Sequence, residues 1–300
     1  MKIGLVLSGG GGKGAYELGV WKALKELELA KYIQVFSGTS IGAFNAVLFA
    51  QDDMDLAEAL WDEVTMEKLA PISKAQLLKK GFELVIGGMH MELIKKRMSR
   101  LMETGIAPKD GAIDIIDRYL MVDKVKEKKK ICYAACTQLP DFKPKYFKLN
   151  DYDDNIAREI VTASATLPRI YDCTEVLGDK YIDGGITDNT PVLPVYNEKC
   201  DIIIVVLLSR DSKIDRSLYP DVQIIELYPR HLNENTIKGT LNLDAESKKI
   251  RIDEGYRDTI EILEPVMEMT KLKIRMEEEE KNPKLYKTYN WLKRKMKKEE

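Results

Sequence analysis

The sequence predicts an α/β protein: a three-layer α/β/α sandwich around a mainly parallel sheet, with a helical insertion and C-terminal helices. Three observations carry this expectation. Two consecutive strand-to-helix units, each turning on glycine, fill the first 50 residues. The run Ile202 to Leu208 is apolar at every position, the pattern of a strand covered on both faces. Long helix-patterned stretches separate the strand-like runs and would supply the covering layers.

In chain order, Ile3 to Leu7 reads as a strand and the glycine cluster after it as a tight loop. Leu18, Trp21, Leu24 and Leu27 then mark a helix by their spacing. Ile33 to Ser37 is a second short β-prone run, ending at Gly38, and Ala43 to Ala50 is strongly helical. From Asp55 to about Leu120 the pattern is helical, with Asp55 and Glu58 in the form of a capping box and Gly, Pro and Asp at 105 to 111 as a break. Strand-like runs return at Ile131 to Thr137, Lys145 to Leu149, Lys180 to Asp183, Ile202 to Leu208 and Val222 to Leu227. After Asp244 the chain is helical and increasingly charged. With no repeat and no Pro/Ser-rich linker, the expected organisation is one domain over 1–240, carrying an insertion at about 55–120 as a candidate lid, and a helical extension over 241–300.

Composition narrows the function classes. The chain has 300 residues, 44% of them hydrophobic, enough for a substantial core. Its 47 basic and 49 acidic side chains nearly cancel and are spread along the length, so no global field draws nucleic acid. Cys132, Cys136, Cys173 and Cys200 lack zinc-ligand spacing and are too sparse for a disulfide scaffold; they read as reduced thiols. The N-terminal apolar run is too short for a signal peptide or a bilayer span, and the expected location is cytoplasmic, peripheral to membranes.

Three local patterns carry chemistry. Gly38-Thr39-Ser40-Ile41-Gly42 is a G-x-S-x-G between a predicted strand and a predicted helix, where a sharp bend exposes a serine hydroxyl and flanking glycines relieve crowding. Taken alone, it could equally be a glycine-bounded turn with a helix-capping serine. Ser8-Gly9-Gly10-Gly11-Gly12-Lys13-Gly14 also opens a helix, and its backbone N–H groups suit either a phosphate or an oxyanion. A P-loop would need Ser or Thr where Gly14 stands and Gly where Ser8 stands. Gly9, Gly11 and Gly14 fit the dinucleotide fingerprint, but Gln34 to Ser37 offers no carboxylate for a ribose. The third pattern is Asp183-Gly184-Gly185 at a strand end. Its carboxylate could reach a serine on a neighbouring strand, replacing a histidine base. The two histidines, His90 and His231, sit at no convincing strand end.

Together these three patterns resemble the patatin-like phospholipase family. Ala163-Ser164-Ala165-Thr166-Leu167-Pro168 is similar to the family's Ala/Ser-rich segment, and Asp188-Asn189-Thr190-Pro191 to its Asn-x-Pro continuation. The resemblance spans roughly residues 3 to 210. It implies a Ser-Asp dyad hydrolysing fatty-acyl esters of phospholipids, lysophospholipids or neutral lipids through an acyl-enzyme, with no cofactor and no metal. Ser40 would be the nucleophile, Asp183 the base, and the amides of Gly10, Gly11 and Gly12 the oxyanion hole; Lys13 is given no chemistry. The obstacle is basicity, because an ordinary carboxylate has a pKa of about 4. Burial would raise that value and nearby amides would lower it, a balance the sequence leaves open.

The implied partner is lipid at a membrane or micelle surface. Apolar residues from Phe82 to Met102 interleaved with basic ones from Lys79 to Arg100 would suit anionic headgroups, or equally a core-packed helix pair with solvated lysines. Two rival functions stay open: a catalytically silent lipid-binding regulatory module, which fluorophosphonate would not label, and a dinucleotide-binding oxidoreductase, which would carry a nicotinamide spectrum.

Overall fold

The computed structural model describes residues 1–72, 102–232 and 236–281. They divide between a unit of Met1–Asp258 and a second unit beginning at Thr259.

Eight strands form one sheet: β1 (Ile3–Leu7), β2 (Ile33–Thr39), β3 (Ile131–Gln138), β4 (Lys143–Lys148), β5 (Thr174–Val176), β6 (Asp179–Asp183), β7 (Ile202–Val206) and β8 (Gln223–Leu227). The order is β5-β6-β3-β2-β1-β7-β8, with β4 also paired to β3. Pairings β2–β3, β1–β2, β1–β7 and β7–β8 are parallel, which makes the predicted parallel core. The remaining pairs, β3–β4, β3–β6 and β5–β6, are antiparallel. The sheet is therefore mixed. The runs expected at Lys145 to Leu149 and Lys180 to Asp183 fall on β4 and β6, whose antiparallel direction the residues do not encode, while β5, three residues of which two are polar, gives no strand signal.

The helices are α1 (Ala15–Glu26), α2 (Ile41–Ala50), α3 (Met54–Glu63), α4 (Met66–Leu69), α5 (Asp110–Tyr119), α6 (Val122–Glu127), α7 (Asp154–Ser164), α8 (Val192–Asn197), α9 (Thr236–Leu241) and α10 (Ala245–Lys281). The N-cap of α3 is Asp53, whose carboxylate accepts the Leu56 N–H at 3.0 Å; the cap expected at Asp55 is displaced by two residues, and Asp55 lies in the first turn. In the second unit, the described residues 259–281 are helical.

Every residue of β1 is buried, as are four of the five in β7, because helices cover both faces of the central strands. On one face, Val192 and Val195 of α8 pack with Val6, Val35 and Val205. A Cβ on Gly4 would lie 2.0 Å from Val195 Cγ1, so only glycine lets α8 approach β1 this closely. On the other face, Trp21 stacks on Phe49 at 5.3 Å and meets Phe36 edge-on at 5.9 Å, joining α1, α2 and β2. Residues 42–50 of α2 are all buried, which explains a helix apolar around its whole circumference.

The interleaved run 79–102 lies outside the described residues except for Met102. That side chain is buried against Leu139, Phe142 and Ile182.

Candidate active site

β3 brings the two candidate chemical groups together. Its edge from Val35↔Ile131 to Thr39↔Ala135 is taken by β2, running parallel. From Cys136↔Asp183 onward it pairs with β6, running antiparallel, while β4 pairs along Tyr133–Gln138. A strand has two edges, so β2 and β6 share one of them and run toward each other, ending opposite the consecutive residues Ala135 and Cys136. The residue after β2 is Ser40 and the last residue of β6 is Asp183. Their side chains meet: Ser40 Oγ donates to Asp183 Oδ2 at 2.5 Å, across 143 positions of sequence.

Ser40 sits on the predicted bend. Its φ of 56° and ψ of −126° are a rare conformation for a non-glycine residue, costing about 1–3 kcal/mol, and fold elsewhere must hold it. The flanking glycines supply the room. A Cβ on Gly38 would lie 2.0 Å from the Gly42 carbonyl oxygen, and one on Gly42 would lie 2.3 Å from that of Leu7. The Ser40 N–H donates to Ser164 Oγ at 3.0 Å, and Ser164 Oγ in turn donates to the Ala135 carbonyl at 2.6 Å. This fully buried serine thus ties the bend to β3.

Asp183 is buried, and its second oxygen accepts the Gly185 N–H at 2.8 Å. Burial pushes its pKa up to about 6; the hydrogen bonds from Ser40 and Gly185 pull the other way and are outweighed. The balance left open by the sequence is thereby decided in favour of a stronger base. A Cβ on Gly184 would lie 2.2 Å from the Ala135 carbonyl oxygen, so the turn after Asp183 presses directly on β3.

The glycine-rich loop lies over the same spot. Gly11 and Gly12 line a pocket of about 770 Å³, counting its open mouth, together with Ser40, Ile41, Phe44, Leu60, Met66 and Leu167. The loop continues into a short 3₁₀ turn, Gly11–Gly14, with Gly10 as N-cap. The N–H groups of Gly10, Gly11 and Gly12 open that turn, where helical geometry provides no acceptors within it. They are the donors the sequence nominated. Gly10 itself faces Leu208, at 2.7 Å from a would-be Cβ, and does not line the pocket.

His231 is an exposed residue whose backbone N–H donates to Glu254, and His90 lies outside the described residues. Two residues of the motifs act here although their letters imply no role. Ser164 holds the bend, and Asn189 holds Gly9 by a pair of hydrogen bonds. A third was missed. Glu17 of α1 is fully buried, with Oε2 accepting from Asn45 Nδ2 at 2.7 Å, and burial holds its carboxyl well above the usual carboxylate range. Asn45 also donates to the Gly14 carbonyl at 3.1 Å, so this cluster joins the glycine loop to α2. A lone glutamate early in a helix carries no sequence sign of burial.

Among the described residues, no group of three or more His, Cys, Asp or Glu side chains is placed to hold a metal ion, and no helix is long and apolar enough to cross a membrane.

Comparison with known proteins identifies the family. Over 211 residues the chain is 29% identical to lysophospholipase nte1 of Aspergillus terreus, an alignment covering 68% of this chain and 12% of that protein. It is 23% identical over 274 residues to the uncharacterized protein YjjU of Escherichia coli, covering 88% of this chain and 65% of that one. The crystal structure of VipD from Legionella pneumophila shares the fold with a TM-score of 0.54 at 17% identity, covering 88% of this chain and 67% of that chain. The family model for patatin-like phospholipase matches residues 5–196, a span holding the glycine loop, the Ser40 bend and the Asp183 turn. The chain belongs to the patatin-like phospholipase family.

Proposed function

We propose that the protein is a lipid acyl hydrolase that cleaves fatty-acyl esters through a Ser40–Asp183 dyad. The observation that carries this reading is the 2.5 Å hydrogen bond between the Ser40 hydroxyl and a buried carboxylate at an apolar pocket. Asp183 takes the hydroxyl proton as Ser40 Oγ attacks the ester carbonyl, and the N–H groups of the glycine loop receive the negative charge that develops on oxygen. Collapse of the tetrahedral intermediate expels the alcohol, which leaves with the proton held by Asp183. The acyl-enzyme is then hydrolysed by water: Asp183 accepts the water proton and returns it to Ser40 Oγ. A carboxylate with a pKa of about 6 is ionised at neutral pH and is a better proton acceptor than an ordinary aspartate.

The apolar lining suits a fatty-acyl chain, and the name of the fungal relative makes lysophospholipid the first substrate to try. The reading puts the enzyme in the cytoplasm at a membrane or micelle surface; four free cysteines favour a reducing compartment.

The test is a panel of phospholipids, lysophospholipids and neutral glycerides, with released fatty acid read by mass spectrometry for wild type and Ser40→Ala. Fluorophosphonate labelling is mapped on the same preparations. Fatty-acid release that depends on Ser40, with the label on that residue alone, supports the reading. Lipid binding with neither release nor labelling would favour the silent lipid-binding module.

A further inference from the structure

The family match ends at residue 196, yet the pocket in front of Ser40 is closed by residues further on: Thr240, Leu241 and Leu243 line it. The strap Gly239–Leu243 lies backbone on backbone against the glycine loop. A Cβ on Gly11 would be 2.3 Å from the Thr240 carbonyl oxygen, and one on Gly12 would be 2.1 Å from that of Asn242. Leu241 packs on the cluster formed by Ala70, Ile170 and Tyr171, so its side chain reaches across toward the far wall.

The strap is fixed from behind by one face of α10. Lys248, Arg251, Glu254 and Asp258 are spaced three or four apart and are all buried. Arg251 donates to the Asn242 carbonyl at 2.6 Å and to the Gly239 carbonyl at 3.1 Å, bracketing Leu241. Lys248 donates to the carbonyls of Trp61 at 2.6 Å and Val64 at 2.8 Å, at the end of α3, whose Leu60 also lines the pocket. Glu254 accepts the N–H groups of His231 and Leu232, and Asp258 accepts that of Arg230, pinning the approach to the strap. The frame is held to α1 by a glycine crossing. A Cβ on Gly255 would lie 2.1 Å from the Tyr16 carbonyl oxygen, and one on Gly19 would lie 2.0 Å from that of Ile252.

We propose that the strap Gly239–Leu243 is the substrate-selecting wall of this pocket: Leu241 limits the length of acyl chain accepted, and Arg251 is the positioning residue that sets the strap against the glycine loop. The inference rests on the reading of the pocket as an acyl site. Two backbone carbonyls three residues apart, held by one planar guanidinium, fix the backbone that carries Leu241. The length of an acyl chain is then read as a distance between fixed walls.

The test compares kcat/KM for p-nitrophenyl laurate and p-nitrophenyl butyrate in the full-length chain. Leu241→Trp should lower the laurate-to-butyrate ratio about tenfold, the discrimination that one or two methylenes carry in an apolar pocket, and Leu241→Ala should raise it. Arg251→Met should shift the ratio, and Arg251→Lys, which keeps the charge and donors on a single nitrogen, should restore part of the shift. A ratio unchanged in Leu241→Ala and Arg251→Met, both folded by circular dichroism, overturns the inference while Ser40-dependent hydrolysis stands. Should Leu241→Trp fail to fold, the alanine variant decides alone. If wild type hydrolyses neither ester and Ser40 resists fluorophosphonate, the acyl-site reading fails, and acyl selection by the strap fails with it.

Discussion

Asn189 and Gly9 hold each other by two hydrogen bonds of 3.0 Å: the Gly9 N–H donates to the Asn189 carbonyl, and Asn189 Nδ2 donates to the Gly9 carbonyl. The turn that follows the candidate base is thereby clamped to the loop that carries the candidate oxyanion donors. Asn189→Ala removes the side-chain half of the clamp and leaves the backbone half. Stability should fall by about 1 kcal/mol, the net worth of one such bond. Turnover should fall further, by roughly 10- to 100-fold, because a misplaced donor costs more in the transition state than in the fold. Melting temperature and kcat on a short-chain ester, measured side by side, check this; equal fractional effects would show that Asn189 serves the fold alone.

The buried carboxylate of Asp183 links activity and stability with opposite signs. Its pKa is about 6 in the folded chain against 3.8 for the free side chain, so the folded state binds the proton more tightly. Stability must therefore fall as pH rises from about 4 to about 6, by about 3 kcal/mol in all, and the loss is complete above that window. Activity should rise through the same window, since the base works ionised. Asp183→Asn should abolish turnover and be more stable than wild type at pH 8, the two converging near pH 4. Glu17, also raised, contributes in the same direction, and subtracting the variant's pH profile from that of wild type isolates Asp183. A variant less stable than wild type at pH 8 would contradict the assignment.

Ser164→Ala leaves the buried Ser40 N–H and the Ala135 carbonyl each short of a partner. Two unsatisfied buried groups cost about 1–3 kcal/mol each, and the bend at Ser40 loses the contact that holds its unfavourable φ. The expected outcome is a lower melting temperature and slower fluorophosphonate labelling of Ser40. Labelling at the wild-type rate would mean that Gly38 and Gly42 suffice to hold the bend.

Replacing His231 with Gln should leave ester hydrolysis within about twofold of wild type, because the hydrogen-bond acceptor of the Ser40 hydroxyl is a carboxylate. The backbone N–H bond from this position to Glu254 survives the change. A loss of about three orders of magnitude would restore a histidine base.

The sequence exposes the parts of this site that depend on local chemistry and hides those that depend on distant partners. Gly38, Ser40 and Gly42 are legible because a strand-to-helix bend demands small residues at fixed offsets. Asp183 is legible as a carboxylate at a strand end, but its route to Ser40 is not. The residues leave open whether the two strands are neighbours, and in the fold they meet end to end along β3. The direction of the Asp183 pKa depends on burial, which one position in a sequence does not reveal. The charged face of α10 is hidden for a related reason. Lys248, Arg251, Glu254 and Asp258 look like solvated helix residues until the carbonyls and amides they meet are in place.

If Ser40 and Asp183 form the proposed dyad, the meeting of β2 and β6 also fixes when the protein can become active during its own synthesis. The chain must be made through Asp183, 143 positions beyond Ser40, before the hydroxyl has its acceptor. At that point β1 still lacks β7, its other neighbour in the sheet, and the glycine loop still lacks Asn189. Contacts so distant in sequence form late, after the local helices and the first parallel strands. A ribosome-bound chain holding only the first two strand-to-helix units would carry an intact G-x-S-x-G and no dyad. On the proposed dyad, chemical competence would thus arrive only with the strands made after β3, when the fold that holds Ser40 and Asp183 together is nearly closed.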